Sequence, residues 1–382
     1  MVRDLSEIRE EIDRLDKEIV SCYEQRMDLV RQVAAYKIAT GKQVLDSSRE
    51  KQKLETLGGL AKNDFDRQAV QEIFAQLMAI SRKSQYQMLA AKGMSTPLPC
   101  TLTDKLVDGP VKVVFQGVEG AYGHAAMLQY FGEEVDSYHV KQFRDVMEEV
   151  VAGRADFGVL PIENSSAGMV SDVYDLLVEY HNVIAAETDL KVQHALLGLP
   201  GATVEDIRTV YSHPQGLMQC GKFLREHGDW KRISLENTAV SAKRVVSDGD
   251  KTQAAIASPT AAKLYGLEIL AHPVNDNPLN TTRFIIIRKD PIYSRDADKV
   301  SICFEIEHTS GSLYNVFSHF TFNHINMTKI EARPVPERPF EYRFYIDVEG
   351  SLESPQIQNA LYGIQAEVLK FQILGNYRRQ YT

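Results

Sequence analysis

Cysteine and tryptophan are scarce, four and one in 382 residues. Cys22, Cys100, Cys220 and Cys303 stand far apart. They form no metal-type spacing, and a chain of this length needs no disulfide framework. No apolar run approaches the length of a membrane span, and the first residues (Arg3, Asp4, Glu7) are charged rather than signal-like. A cytoplasmic protein is expected, with no membrane partner. A surplus of positive charge is also missing: the net charge is −9, which argues against nucleic acid. There are no repeats or low-complexity tracts. What is present is an ordinary globular composition, 44% hydrophobic and 25% charged, with length for two or three domains.

The charge is unevenly placed. Residues 1–92 hold 16 Lys+Arg and 15 Asp+Glu, or +1, so the remainder carries −10. The N-terminal segment is therefore the less acidic, which favours an anionic ligand there. It has no proline, and glycine only at Gly41, Gly58 and Gly59; it reads as helix throughout. Residues 93–110 lose periodicity, contain three prolines and read as a linker. Residues 111–290 alternate short β-like runs (VKVVF, DFGVLPI, RTVYS, AAIAS, RFIIIR) with helical ones, an α/β pattern. Residues 298–382 read strand, helix, strand, strand, helix, strand, the ferredoxin-like βαββαβ order.

Leu5, Ile8, Ile12, Leu15, Ile19, Cys22, Arg26, Leu29, Val33 and Tyr36 recur at alternating spacings of three and four. This is the seam of a helix packing on another helix. A helix over about residues 4–39 spans ~50 Å, more than ninety residues can cover alone, so a dimer is expected. Arg26 breaks the seam, and Arg9 and Lys37 flank it. A third helix, from about Asp66 to Ala91, has the stripe Val70, Ile73, Phe74, Leu77, then Ser81, Gln85 and Met88. Asp46 is placed to cap a second helix, with Arg49 and Glu50 in its first turn. Singly, such residues set register, snorkel outward or end helices. Together they describe a pocket lined by cations and suited to a small polyanion.

Arg9, Arg26, Lys37, Asp46, Arg49, Glu50, Ser81 and Gln85 resemble, in order and spacing, the active-site set of the all-helical chorismate mutases. The resemblance implies a domain-exchanged dimer, with Arg9 serving the other subunit's pocket. It implies that Arg9 and Arg26 grip substrate carboxylates, Lys37 and Gln85 bond the ether oxygen, and Glu50 the ring hydroxyl. Arg49, Ser81 and Asp46 complete the lining. The rearrangement of chorismate to prephenate is unimolecular and needs no nucleophile, metal or cofactor; the protein selects a conformer and stabilises developing charge.

In the middle segment, Gly117, Gly120 and Gly123 form GxxGxxG rather than the dinucleotide fingerprint GxGxxG. That disfavours a dehydrogenase and suggests backbone N–H groups meeting an anion at a helix start. PIENSSAG, SHPQ, Ser258 and NTTRF each place polar side chains at a strand end, where α/β sheets bind ligands. Helix capping by Ser212 and Ser258 is the plainer alternative.

GVEGAYGHAA, PIENSSAG, YSHPQGLMQC and Thr282-Arg283-Phe284 are similar to prephenate dehydratase motifs. They imply two α/β lobes around a cleft, as in type II periplasmic binding proteins. They also imply loss of CO₂ and the ring hydroxyl to give phenylpyruvate. Thr282 would deliver a proton or hydrogen bond, Arg283 would help hold the anion, and Glu163, Asn164, Ser212 and Gln219 fall on other functional positions. Gly123 departs from the usual Ser. In the C-terminal segment, Gly311-Ser312-Leu313-Tyr314 and the run INMTKIEARP, with Asn326 and Glu331-Ala332-Arg333-Pro334, resemble the effector motifs of ACT domains. Phenylalanine is the implied effector. The whole resembles the bifunctional mutase–dehydratases with an ACT tail, as a homodimer or homotetramer. A mutase fused to a non-catalytic sensing domain is the alternative.

Overall fold

The computed structural model describes residues 3–92, 98, 100–336 and 338–379. The chain folds into two compact units, one made of Met1–Leu98 and Phe304–Phe371, the other of Pro99–Cys303 and Gln372–Thr382. The first and last segments of the sequence thus share a unit, and the middle segment forms the core of the other.

The N-terminal segment is three helices, α1 (Leu5–Thr40), α2 (Ser47–Gly58) and α3 (Asp64–Ala91). Their ends follow local chemistry. Gly41 takes φ 67° and closes α1 by donating its N–H to the Lys37 carbonyl. The Asp46 carboxylate caps α2 through the Arg49 N–H, and the Asn63 side chain caps α3 through the Asp66 N–H. At 36 residues α1 is about 54 Å long. It buries only Met27 and Ala34. Its seam is in place but uncovered within one chain: Leu5, Ile12, Leu15, Ile19, Leu29 and Val33 are each 42–64% exposed.

The middle segment builds two α/β lobes. The first contains β1 (Lys112–Gln116), α4 (Tyr122–Phe131), β2 (Asp136–Val140), α5 (Phe143–Val151), β3 (Phe157–Asn164), α6 (Ser171–Tyr180) and β4 (Val183–Lys191). The second contains β5 (Ala195–Gly198), β6 (Thr209–Ser212), α7 (Pro214–Gln219), β7 (Lys231–Ser234), α8 (Thr238–Asp248), β8 (Gln253–Ala257), α9 (Pro259–Tyr265) and β9 (Glu268–Ala271). The chain then returns to the first lobe as β10 (Thr281–Arg288). The first sheet has the order β4-β10-β3-β1-β2, the second β9-β5-β8-β6-β7. Runs such as Phe157–Leu160 and Ala254–Ala257 are buried throughout, as strands covered on both faces must be. The first lobe's core is Val113, Phe115, Met127, Phe157, Val159 and Ile286. The segment read as linker is not wholly irregular: Thr101–Thr103 is a short strand paired in parallel with Ile292–Ser294. Residues 93–97 and 99 of that segment lie outside the described residues.

The C-terminal segment has the expected βαββαβ order: β11 (Lys299–Glu305), α10 (Ser312–Phe322), β12 (Met327–Val335), β13 (Arg338–Glu349), α11 (Pro355–Glu367) and β14 (Lys370–Tyr377). Its strands lie in the order β12-β13-β11-β14. Helix α3 packs on α10 and α11 as well as on α1 and α2. Ser81 and Gln85 are buried toward the N-terminal helices, whereas Lys83 Nζ reaches Ser318 Oγ (2.9 Å) and the Tyr86 ring meets Tyr362 edge-on at 5.5 Å. No described helix is long and apolar enough to cross a membrane.

Candidate active sites

The first site lies where α1, α2 and α3 meet. Arg26 comes from α1 and is half-buried; its Nη1 donates to Ser81 Oγ (2.6 Å) and to the Leu77 carbonyl (3.2 Å). Lys37, three turns further along α1, donates to the Val44 carbonyl (2.6 Å) in the loop before α2. Among the described residues neither cation has a carboxylate within ion-pair distance. Burial holds both pKa values below their ordinary range, with Tyr23 and Glu50 opposing the shift at Arg26 and Asp46 and Glu50 opposing it at Lys37. Two cations partly stripped of water and short of counter-ions make a pocket that favours an anion. From α3, Gln85 donates Nε2 to the Ser81 carbonyl (3.1 Å), and its buried Oε1 has no partner. The Glu50 carboxylate is held by Arg82. Asp46 accepts from Arg49 N and Ser48 Oγ, which holds its pKa below the usual carboxylate range.

The second site is a cleft of about 600 Å³ between the two lobes. The strand ends decide what reaches it. On β10, Thr282 pairs with Asn164 of β3, and Thr282 and Phe284 line the cleft. Asn164 Nδ2 donates to Thr282 Oγ1 (2.8 Å) and to Asn280 Oδ1 (2.8 Å), while its Oδ1 accepts from the Ser166 and Ala167 N–H groups. The amide orientation is therefore fixed. Thr282 Oγ1 accepts one hydrogen bond and keeps its own proton to donate.

Across the cleft, Tyr122 hydroxyl lies 2.9 Å from His194 Nδ1, and His194 Nε2 lies 2.9 Å from Gln219 Oε1. Burial lowers the His194 pKa despite the Gln219 hydrogen bond. The tyrosine O–H faces two acceptors, His194 Nδ1 and the Gln193 carbonyl (3.1 Å), and shares its one proton between them, while Nε2–H of the neutral ring donates to Gln219. The Gln219 amide then keeps its NH₂ as a donor for a ligand. Among the described residues no lysine or arginine lines the cleft. Helix starts do: Ala121–Gly123 at α4, where no side chain caps the helix, and Asn237–Thr238 at α8. Their N–H groups and dipoles are the positive element available to an anion.

These two sites match two family models, chorismate mutase type II over residues 8–86 and prephenate dehydratase over residues 113–292. The bifunctional chorismate mutase/prephenate dehydratase of Stutzerimonas stutzeri is 32% identical over 98% of this chain and 97% of its own length. That of Escherichia coli K12 is 30% identical, covering 97% and 95%. The chain belongs to the bifunctional chorismate mutase/prephenate dehydratase family. A solved prephenate dehydratase from Arthrobacter aurescens, in complex with L-Phe, is 28% identical with a TM-score of 0.65, covering 70% of this chain and 90% of that one. The mutase domain converts chorismate to prephenate and the dehydratase domain converts prephenate to phenylpyruvate, in phenylalanine biosynthesis.

Of the residues expected in the mutase pocket, Arg26 bonds Ser81, Glu50 acts electrostatically on Arg26 and Lys37, and Gln85 lies one turn beyond Ser81 on α3, with Asp46 and Arg49 at the start of α2. Arg9 does not join them. It lies exposed on α1, seventeen residues and about 25 Å before Arg26. In the dehydratase cleft, Thr282, Asn164 and Gln219 are brought together, but three expected residues are not. Arg283 faces away, with Nε 3.0 Å from Asp189 and Nη1 3.5 Å from Glu163. The reason is strand alternation: when Thr282 faces the cleft, its neighbour cannot. Glu163, paired with Arg283 in the β3–β10 register, leaves the cleft with it. Ser212 is fully buried and donates to the Ile256 carbonyl (2.8 Å); it neither lines the cleft nor caps α7, whose cap is His213. Ser258 does cap α9.

Gly123 also has a structural reason. A Cβ there would sit 2.7 Å from the Gln116 carbonyl oxygen, so α4 starts too close to β1 for a serine. The sequence reading missed Tyr122 and His194. Tyr122 stands within GVEGAYGHAA, one position before Gly123. His194 follows a strand with no motif of its own. In the C-terminal module, Gly311 (φ 83°), Ser312 and Leu313 open α10, and Glu331–Pro334 lie on the terminal strand β12, just after the exposed Asn326.

Proposed function

We propose that chorismate binds as a dianion between Arg26 of one subunit and Arg9 of the partner subunit. Lys37 and Gln85 would stabilise charge on the ether oxygen as its bond breaks, and Glu50 would orient the ring hydroxyl, with Ser81, Asp46 and Arg49 completing the lining. The uncovered seam of α1 and the remote position of Arg9 support a dimer in which α1 of each chain covers the other. In the dehydratase, prephenate loses CO₂ as its ring hydroxyl departs with a proton, and aromatisation drives the step. Thr282 would be the donor to the leaving hydroxyl, its direction set by Asn164. His194, kept neutral by burial, is unsuited to supply that proton as an acid near pH 7. The helix starts at α4 and α8, rather than Arg283, would receive the carboxylates. The C-terminal module is read as an ACT domain that binds phenylalanine at Gly311–Leu313, Asn326 and Glu331–Pro334 and reports it as feedback inhibition. A cytoplasmic homodimer, or a pair of dimers, is the working assembly.

The observation that carries the dehydratase assignment is the Asn164–Thr282 hydrogen bond in the cleft. Thr282→Ala should lower the turnover of prephenate by about a hundred-fold or more. Thr282→Ser should keep most of it, with mutase activity in the same samples unchanged. Phenylpyruvate formation within two-fold of wild type in Thr282→Ala would refute the role.

A further inference from the structure

Helix α3 carries a second buried polar face that the mutase residues do not use. Arg82 is 6% exposed. Its Nη1 bonds the Glu50 carboxylate, and its Nε lies 2.7 Å from Glu367 Oε1, with Nη2 at 3.4 Å from Oε2. Glu367 is the last residue of α11, where the helix dipole disfavours a carboxylate. It is held there by Arg82 and by His319 of α10, whose Nε2 is 3.3 Å from Oε2. Gly363 makes that approach possible, since a Cβ there would meet the His319 ring at 2.4 Å. The Glu367 pKa is lowered: burial pushes it up, but His319 and Arg82 outweigh burial. A continuous chain of contacts therefore runs from α10 through His319, Glu367 and Arg82 to Glu50.

We propose that Arg82 is a positioning residue for the mutase. It fixes the Glu50 carboxylate in the pocket and is itself anchored by Glu367, so the C-terminal module sets the geometry of a mutase substrate contact. The inference rests on the assignment of Glu50 to the chorismate pocket. The physical basis is that a guanidinium shared by two carboxylates in a nearly dry site has little freedom. Its aim at Glu50 is decided by where Glu367 holds its other edge. A shift of α11 would be felt at Glu50 without any change in α1 or in the rest of the pocket.

The test uses the full chain with Glu50→Gln, Glu367→Gln, Arg82→Ala, Arg82→Lys and the double variant Glu50→Gln/Glu367→Gln. Mutase kcat and KM are measured for each, with dehydratase activity and Tm on the same samples. Glu367→Gln, nearly isosteric, is expected to lower mutase kcat/KM about ten-fold while dehydratase activity stays at wild type. Arg82→Lys should recover part of what Arg82→Ala loses. In the double variant the loss should be no greater than in Glu50→Gln alone, because both act through the same carboxylate; a merely structural role would give multiplying losses. Wild-type mutase activity in folded Glu367→Gln and Arg82→Ala, or losses that multiply in the double variant, would overturn the coupling. Full activity in Glu50→Gln would overturn the assignment of Glu50, and the coupling with it.

Discussion

Arg26→Ala is the sharpest test of the mutase pocket. The guanidinium spends Nη1 on Ser81 Oγ and the Leu77 carbonyl. Its remaining N–H groups are available to a carboxylate, and no protein carboxylate among the described residues competes for them. Removing one partner of a buried, hydrogen-bonded charge pair costs about 2–5 kcal/mol. At about 1.4 kcal/mol per decade, kcat/KM for chorismate should fall by about thirty-fold to a few thousand-fold. Stability should move much less. Burial already holds the Arg26 pKa below its ordinary value, so the folded chain carries this cation at a cost. Losing that cost offsets the two hydrogen bonds, each worth about 0.5–1.5 kcal/mol. The assay is the disappearance of chorismate by absorbance, with prephenate turnover and Tm as controls on the same protein. The reasoning fails if Arg26→Ala keeps kcat/KM within three-fold of wild type, or if dehydratase activity falls in step with it.

Lys83 is 4% exposed, and burial lowers its pKa to about 8 although Glu367 opposes the shift. Between pH 8 and the unfolded value near 10.5 the unfolded chain binds the extra proton, so stability should rise with pH across that window. Lys83→Met should raise Tm at pH 7 and flatten that slope in thermal scans. Gly123→Ser forces a Cβ against the Gln116 carbonyl oxygen and should cost about 1–3 kcal/mol, read as a lowered denaturation midpoint with no gain in dehydratase turnover. Ile19→Glu, on the uncovered seam of α1, should shift the sedimentation coefficient towards monomer and lower mutase activity, leaving prephenate turnover in place. A dimer that survives this change would place the interface elsewhere.

The long helix and its violated seam were legible because helical periodicity is a property of neighbours in sequence. Arg26, Ser81 and Gln85 stood out as polar residues in apolar positions. Arg82 and Lys83 did not, because a charged residue on what reads as a solvent face gives no local sign that it is covered. Its partner Glu367 is 285 positions away. Likewise, the βαββαβ order of the last segment was readable, but its sharing of a unit with the first segment was not. Arg283 stands off the cleft for a reason the sequence does contain. Adjacent strand residues face opposite ways, so Thr282 and Arg283 could not both line one cleft. Thr282 and Asn164 were readable as motif positions only; their hydrogen bond needs the β3–β10 register, which local patterns do not supply.

The double burial of α3 bears on how the chain is made as well as on how it works. One face of this helix is covered by α1 and α2, which precede it, the other by helices that end at Glu367. During synthesis the second face waits for the 276 residues from the end of α3 at Ala91 to Glu367 (367 − 91), which at 5–20 residues per second is about 14–55 s. Throughout that interval Arg82, Lys83 and Tyr86 remain open to solvent and to other chains, while the 99–303 segment emerges. The nascent mutase helices thus reach the cell as an unfinished surface, closed only when the C-terminal module arrives.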